Sequence, residues 1–222
     1  MINKKPVIAA LVSLACISSA SAMASNDLSN IKSSADELKV DLGHDYSQYS
    51  SVYIAPLSVD NTEVDLGSIS ARNRMHAWEF NEERKADMQG YYEEQFVTEF
   101  VDHSGLPRVD APQKDSLVIK AGLVELKPAN PVESDRYPGR ANVYSDGAGD
   151  MTIAMELSNA NGEILAMAED DHEMGPHHRR YHNNSVSNRA EVKRTFDQWG
   201  RKSGDAVAEL ISGESSEWKL EK

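Results

Sequence analysis

Asp150-Met151-Thr152-Ile153-Ala154-Met155-Glu156-Leu157, then Ser158-Asn159-Ala160-Asn161-Gly162, then Glu163-Ile164-Leu165-Ala166-Met167-Ala168-Glu169, decides the fold of this chain. The first stretch alternates, with Met151, Ile153, Met155 and Leu157 on one side, as a half-buried strand must. Asn161-Gly162 supplies the backbone freedom that a tight hairpin turn needs. The third stretch alternates again, Ile164, Ala166 and Ala168 opposite Leu165 and Met167. Two antiparallel strands therefore stand at residues 150–157 and 163–169.

Working outward, residues 190–211 carry Val192, Phe196, Trp199, Ser203, Ala206, Val207 and Leu210 at three-and-four spacing, which predicts a one-sided helix. Asn188 with Glu191 three residues on offers a capping box, and Gly213 a stop. Upstream, residues 116–126 form a strand, with Leu117, Ile119, Ala121 and Leu123 on one face and Glu125 continuing it. Residues 79–103 form a second helix, with Met88, Tyr92, Phe96 and Phe100 four apart, closed by Ser104-Gly105 and Pro107. Residues 51–59 are rich in β-branched and aromatic types, and Pro56 puts them at an edge or a bulge. Strands flanking a helix can run parallel, whereas the later hairpin is antiparallel. The expected class is α+β: a small mixed, largely antiparallel sheet with two long amphipathic helices packed on one face.

Two groups of residues resemble a bacterial envelope family. One is Asp45-Tyr46-Ser47-Gln48-Tyr49-Ser50-Ser51-Val52-Tyr53-Ile54-Ala55-Pro56. The other is residues 147–155 taken with Asn161-Gly162-Glu163-Ile164-Leu165-Ala166 and Phe196-Asp197-Gln198-Trp199. The family is the domain of unknown function numbered thirty-three thirteen, and the likeness spans about residues 45–211. It implies an exported protein, often a lipoprotein in this family, and no active site to carry over.

The amino terminus points the same way. Lys4 and Lys5 precede an apolar run over residues 7–17, and Ala20-Ser21-Ala22 is a small-x-small cleavage site, so residues 1–22 read as a secretory signal. The run is shorter than the roughly 20 residues a membrane span needs. Cys16 has Ser13, Leu14 and Ala15 before it, a poor lipoprotein context. Release into the periplasm is expected ahead of lipid anchoring. Residues 23–45 read as a flexible polar lead, residues 46–212 as one domain and residues 213–222 as a charged tail.

Charge and cysteine use exclude several functions. The formal charge is −13, and −15 once Lys4 and Lys5 leave with the signal. A phosphate backbone is repelled, so nucleic acid is not an expected partner. Cys16 is the one cysteine and departs with the signal, which removes thiol catalysis and disulfides from the secreted chain. No nucleophile elbow, phosphate loop or dinucleotide fingerprint is present.

Two clusters remain. His172, His177, His178 and His182 lie within eleven residues among Glu169, Asp170, Asp171 and Glu173. Imidazole and carboxylate are ligands for zinc, copper or nickel. The same imidazoles titrate near pH 6.5 and could make the loop pH-responsive. Against both stand Gly175-Pro176 and Asn183-Asn184, which break a helix, and Arg179 and Arg180, which repel a cation. A solvated polar loop is the plainer account of residues 170–187. Arg72, Arg74 and Trp78 form a basic, aromatic island suited to anchoring a partner, or simply a loop docking its indole on the core. No catalytic residue is assigned and no cofactor is required. The expected function is a non-catalytic envelope protein that binds another protein or an assembly, with metal binding or pH sensing through the histidines as the alternative.

Overall fold

The computed structural model describes residues 28–33, 35–67, 71, 74, 77–129, 144–145, 147–175, 181–182 and 184–213. In chain order the elements are β1 (Ser29–Asn30), β2 (Glu37–Val40), a 3-10 turn (Tyr46–Gln48), β3 (Ser51–Ile54), β4 (Glu63–Val64) and α1 (Glu82–Tyr91). A π turn (Tyr92–Phe96) leads directly into α2 (Val97–Ser104). Then come β5 (Ser116–Pro128), β6 (Tyr144–Ser145), β7 (Gly149–Asn159), β8 (Ile164–Met174), β9 (Tyr181–His182) and α3 (Ser185–Ser212). Seven strands make one mostly antiparallel sheet in the order β1-β2-β8-β7-β5-β3, with β4 also on β5; β6 and β9 pair separately. The parallel contacts are β3 and β4 against β5, reached through the helical crossover.

The β7–β8 hairpin is the spine of the sheet, as its alternation requires. Its turn is held by the Asn159 side chain, whose Oδ1 accepts from the N–H groups of Asn161 and Glu163, each at 3.0 Å. Gly162 sits there at φ +84°, a conformation that costs glycine little. Register then sorts the inner face into rows. Val40, Ala166, Leu157 and Ile119 lie in one, and Leu38, Ala168, Met155 and Ala121 in the next. Asp170, Ile153 and Leu123 follow, then His172, Met151 and Leu126. This face meets the second half of the first helix and α3.

Several expectations change in detail. Residues 23–45 do not form only a polar lead: Glu37–Val40 is a strand paired along β8, and Val40 is fully buried. Short β-strands with Lys and Glu on their outer side look polar overall, which hid this one. The hairpin's second strand runs five residues past Glu169, because Gly149–Ile153 of β7 need ladder partners. Asp170 and His172 are therefore strand residues rather than loop residues. A bulge between Leu123 and Glu125 hands the inner position to Leu126 (4% exposed) and turns Glu125 out beside Thr152. α3 begins earlier than residue 190, capped by Asn184, whose Oδ1 accepts from Val186 N at 3.0 Å and Ser187 N at 2.9 Å.

The pair of long amphipathic helices is only partly present. α3 is one, at 28 residues. Its partner splits in character. No residue of α1 is buried, whereas Tyr92, Phe96, Val97 and Phe100 beyond it are. A strict repeat of four drifts about 40° per step around a helix of 3.6 residues per turn. The wide π turn absorbs that drift, so Tyr92 and Phe96 stack at 4.7 Å and both face inward.

The outer face of the hairpin is acidic. Glu169, Asp171 and Glu173 stand in a row on β8 beside Asp150 and Thr152 of β7. Partial burial, then Asp171 and Glu173, push the Asp150 carboxyl up, with Lys127 opposing. Burial, then Glu37 and Asp36, do the same to Glu169. Both groups bind their protons more tightly folded than unfolded. Stability is therefore withheld at neutral pH and returns as pH falls through their raised range. Asp150→Asn should raise the melting temperature at pH 7 and give a smaller gain near pH 4, where the ordinary carboxylate is already partly protonated. Thermal melts at the two pH values check this; an equal gain at both would contradict it.

Candidate functional site

A groove opens between the inner face of the sheet and α3. Its floor is built from β2, β8 and β7, where Leu38, Val40, Ala166, Ala168, Met155 and Leu157 point inward. Its walls are Phe96 and Phe100 on one side and Trp199, Val207 and Leu210 of α3 on the other. Ile31, just after β1, reaches in from the strand edge and is 3% exposed. The cavity holds about 420 Å³.

Small residues create it. Ala166 and Ala168 occupy adjacent inward positions on β8, and Ala206 faces them from α3. Leucines at those places would close the space. A closed, dry void of this size would cost about 10 kcal/mol at roughly 24 cal/mol per Å³, comparable with a whole domain's stability of about 5–15 kcal/mol. The space is tolerable because it is a groove with an open mouth. Its volume falls within the ordinary range for ligand pockets, about 300–1,000 Å³.

The polar groups are few and placed. Asp170 is 7% exposed, and its Oδ2 accepts the Trp199 indole N–H at 2.6 Å. That bond compensates a buried carboxylate and fixes the indole against the groove. Trp199 is in turn edge-on to Phe196 (5.7 Å) and to His172 (6.3 Å). Ser203 Oγ lies 3.5 Å from Met155 Sδ across the cleft. At the mouth are the exposed residues Lys32, Ser33, Lys202, Asp205 and Glu209. Asp205 is paired with His103 Nδ1 at 2.8 Å, and Glu209 is engaged as well.

The residues singled out by sequence are scattered. His172 is a half-buried inner-face residue of β8, beside Trp199. His182 belongs to β9, across from Tyr144. His177 and His178 lie outside the described residues, as do Arg72, Cys16, the leader 1–22 and the tail 214–222. Among the described residues no group of three or more potential ligands is placed to hold a metal. Trp78 is half-buried, stacked on Phe80 at 6.0 Å, with the Arg84 guanidinium over it at 4.8 Å. Its indole packs against the core at the start of α1, while Arg74 is exposed. The groove itself went unread in the sequence. Its one signal is the pair of alanines where a core strand ordinarily carries larger residues.

The stretch with Tyr46 also gains a meaning. Burial pushes its hydroxyl far above the ordinary phenol range. As a donor it reaches Asp41 O at 3.0 Å and Leu165 O at 3.1 Å, tying the 3-10 turn to β8 beside the groove floor.

An open, mostly antiparallel sheet covered on one face by α2 and α3, with an apolar groove at the β2–β8 side, defines a mixed α/β domain. The chain belongs to the family described as protein of unknown function (DUF3313), whose model matches residues 32–203. No curated protein matches it. Among solved structures it is similar to the PelC dodecamer from Paraburkholderia phytofirmans, at 10% identity, with 72% of this chain and 89% of that one covered and a TM-score of 0.37. A methionine variant of the same dodecamer gives 8% identity, 70% and 90% coverage and a TM-score of 0.34. Likeness at this level carries no argument about role or assembly. Among the described residues no helix is long and apolar enough to cross a membrane.

Proposed function

We propose that this protein is an exported, non-catalytic component of the bacterial envelope that acts by binding, and that the groove under α3 is where it binds. The leader over residues 1–22 supports export to the periplasm. The observation that carries the binding reading is the juxtaposition of Ala166, Ala168 and Ala206. They leave apolar surface facing space, where a protein interior is ordinarily close-packed. Trp78 is a weaker anchor for a protein partner than the sequence implies, because it already packs against Phe80, Arg84 and the core.

The reading is tested with a naphthylamine dye whose emission rises in apolar surroundings. Saturable binding is expected to the wild-type protein and to Val186→Ala, a change at a side chain 76% exposed on the first turn of α3. Ala206→Trp, which fills the groove from α3, should abolish most of the signal. Ala168→Leu fills it from the sheet and should do the same if the first variant folds poorly. Undiminished binding to a folded variant of either kind would refute the groove as the site.

A further inference from the structure

We propose that the groove takes one long acyl chain with an anionic head, of the fatty-acid type, the chain lying against the alanine floor and the head held at Lys32 and Lys202. This rests on the reading of the groove as the binding site and adds the ligand's chemistry to it.

Size limits the ligand to a single chain. A methylene needs about as much room as a water, roughly 30 Å³. The cavity of about 420 Å³ then accepts on the order of a dozen carbons. A two-chain lipid would leave most of its second chain in water.

Polarity orients that chain. The inward residues from Leu38 and Val40 to Trp199 offer it aliphatic and aromatic contact. Asp170 is the buried charge on the lining, already bound to Trp199, and it repels an anion from the interior. The other acids on the lining are engaged, Glu156 with Lys120 at 3.0 Å, Asp205 with His103 and Glu209 with a neighbour. Lys32 and Lys202 are exposed and have no ion-pair partner among the described residues. They are the groups left to receive a headgroup. The chain's net charge of −13 would by itself disfavour an anion. Screening suppresses that effect beyond about 8–10 Å at physiological salt, so the two nearby lysines decide the preference.

Displacement of the dye separates this proposal from the reading beneath it. Dodecanoate, dodecanol and dodecyltrimethylammonium share one chain length and differ in head charge. Dodecanoate should bind about tenfold tighter than dodecanol, since an exposed ion pair supplies up to about fivefold per lysine. The trimethylammonium compound should bind weakest. Lys32→Glu with Lys202→Glu should remove the dodecanoate advantage and leave dodecanol within about twofold; both side chains are exposed, so the variant should fold. In wild-type protein, dodecanoate should shift the methyl resonances of Ala166, Ala168 and Ala206. Equal affinity for all three heads, or an inert lysine pair, overturns the anionic head while dye binding still stands. Dye binding with no displacement by any chain overturns the acyl ligand alone. Displacement without shifts at the three alanines overturns the placement of the chain. Failure of the dye itself to bind removes the groove reading and this proposal together.

Discussion

Trp199→Ala will lower the unfolding free energy by about 3–5 kcal/mol, with a fall in melting temperature on the order of 10 °C. The indole is 2% exposed, packs edge-on to Phe196 and His172 and forms part of the groove wall, so its removal leaves a large void among them. It also strips Asp170 of its donor. A buried acceptor left unpaired costs about 1–3 kcal/mol, more if charged. The two contributions can be separated. Trp199→Phe keeps most of the ring and loses only the N–H, so its cost should be the smaller, polar part. In that background Asp170→Leu should recover stability, because replacing both partners by apolar groups is close to neutral. Urea unfolding followed by circular dichroism reads all three variants. A Trp199→Phe variant as stable as wild type would mean that the 2.6 Å bond to Asp170 contributes nothing.

How far the fold could be read depended on whether a signal was local. Met151, Ile153, Met155 and Leu157 carry their own period, and Asn161-Gly162 its own turn, so the hairpin was visible in isolation. The stripe ending in Phe96 and Phe100 and the one through Phe196 and Trp199 were visible for the same reason. What stayed hidden was set by partners distant in sequence. Glu37–Val40 is a strand because β8 has a free edge, not because of its own four residues. Asp170 and His172 look like loop residues until Trp199, on another element, meets them. The bulge that turns Glu125 outward leaves no local mark, since Val124 is an ordinary strand residue. The groove was the least legible feature, because it is made by side chains that are small. Three alanines on two elements become a cavity only once register and helix placement bring them face to face.

The second large effect concerns two glycines that no periodicity singles out. α3 crosses α2 at Gly200 and Gly204. A Cβ on Gly200 would stand 2.5 Å from the carbonyl oxygen of Phe96, and one on Gly204 would stand 2.8 Å from that of Phe100 and 2.7 Å from His103 Cβ. These neighbours are backbone and a first side-chain carbon, which cannot swing away. Alanine has the higher helix propensity, so an unobstructed Gly→Ala change in mid-helix gains up to about 1 kcal/mol. Overpacking opposes that gain by about 1–3 kcal/mol. The sign of the result therefore reports the crossing distance. Gly90 in α1 provides the control, since a Cβ there meets nothing within 4 Å. Gly90→Ala should stabilise, while Gly200→Ala and Gly204→Ala should each destabilise, and the double variant by at least as much as the worse single one. Forcing α3 away from α2 also moves one wall of the groove, because Val207 and Leu210 continue the same helix one to two turns on. Any folded Gly204→Ala protein should accordingly bind the apolar dye with altered affinity, whereas Gly90→Ala should not. Stabilisation at all three glycines would mean that the helices do not approach this closely, and the groove's dimensions would have to change with them.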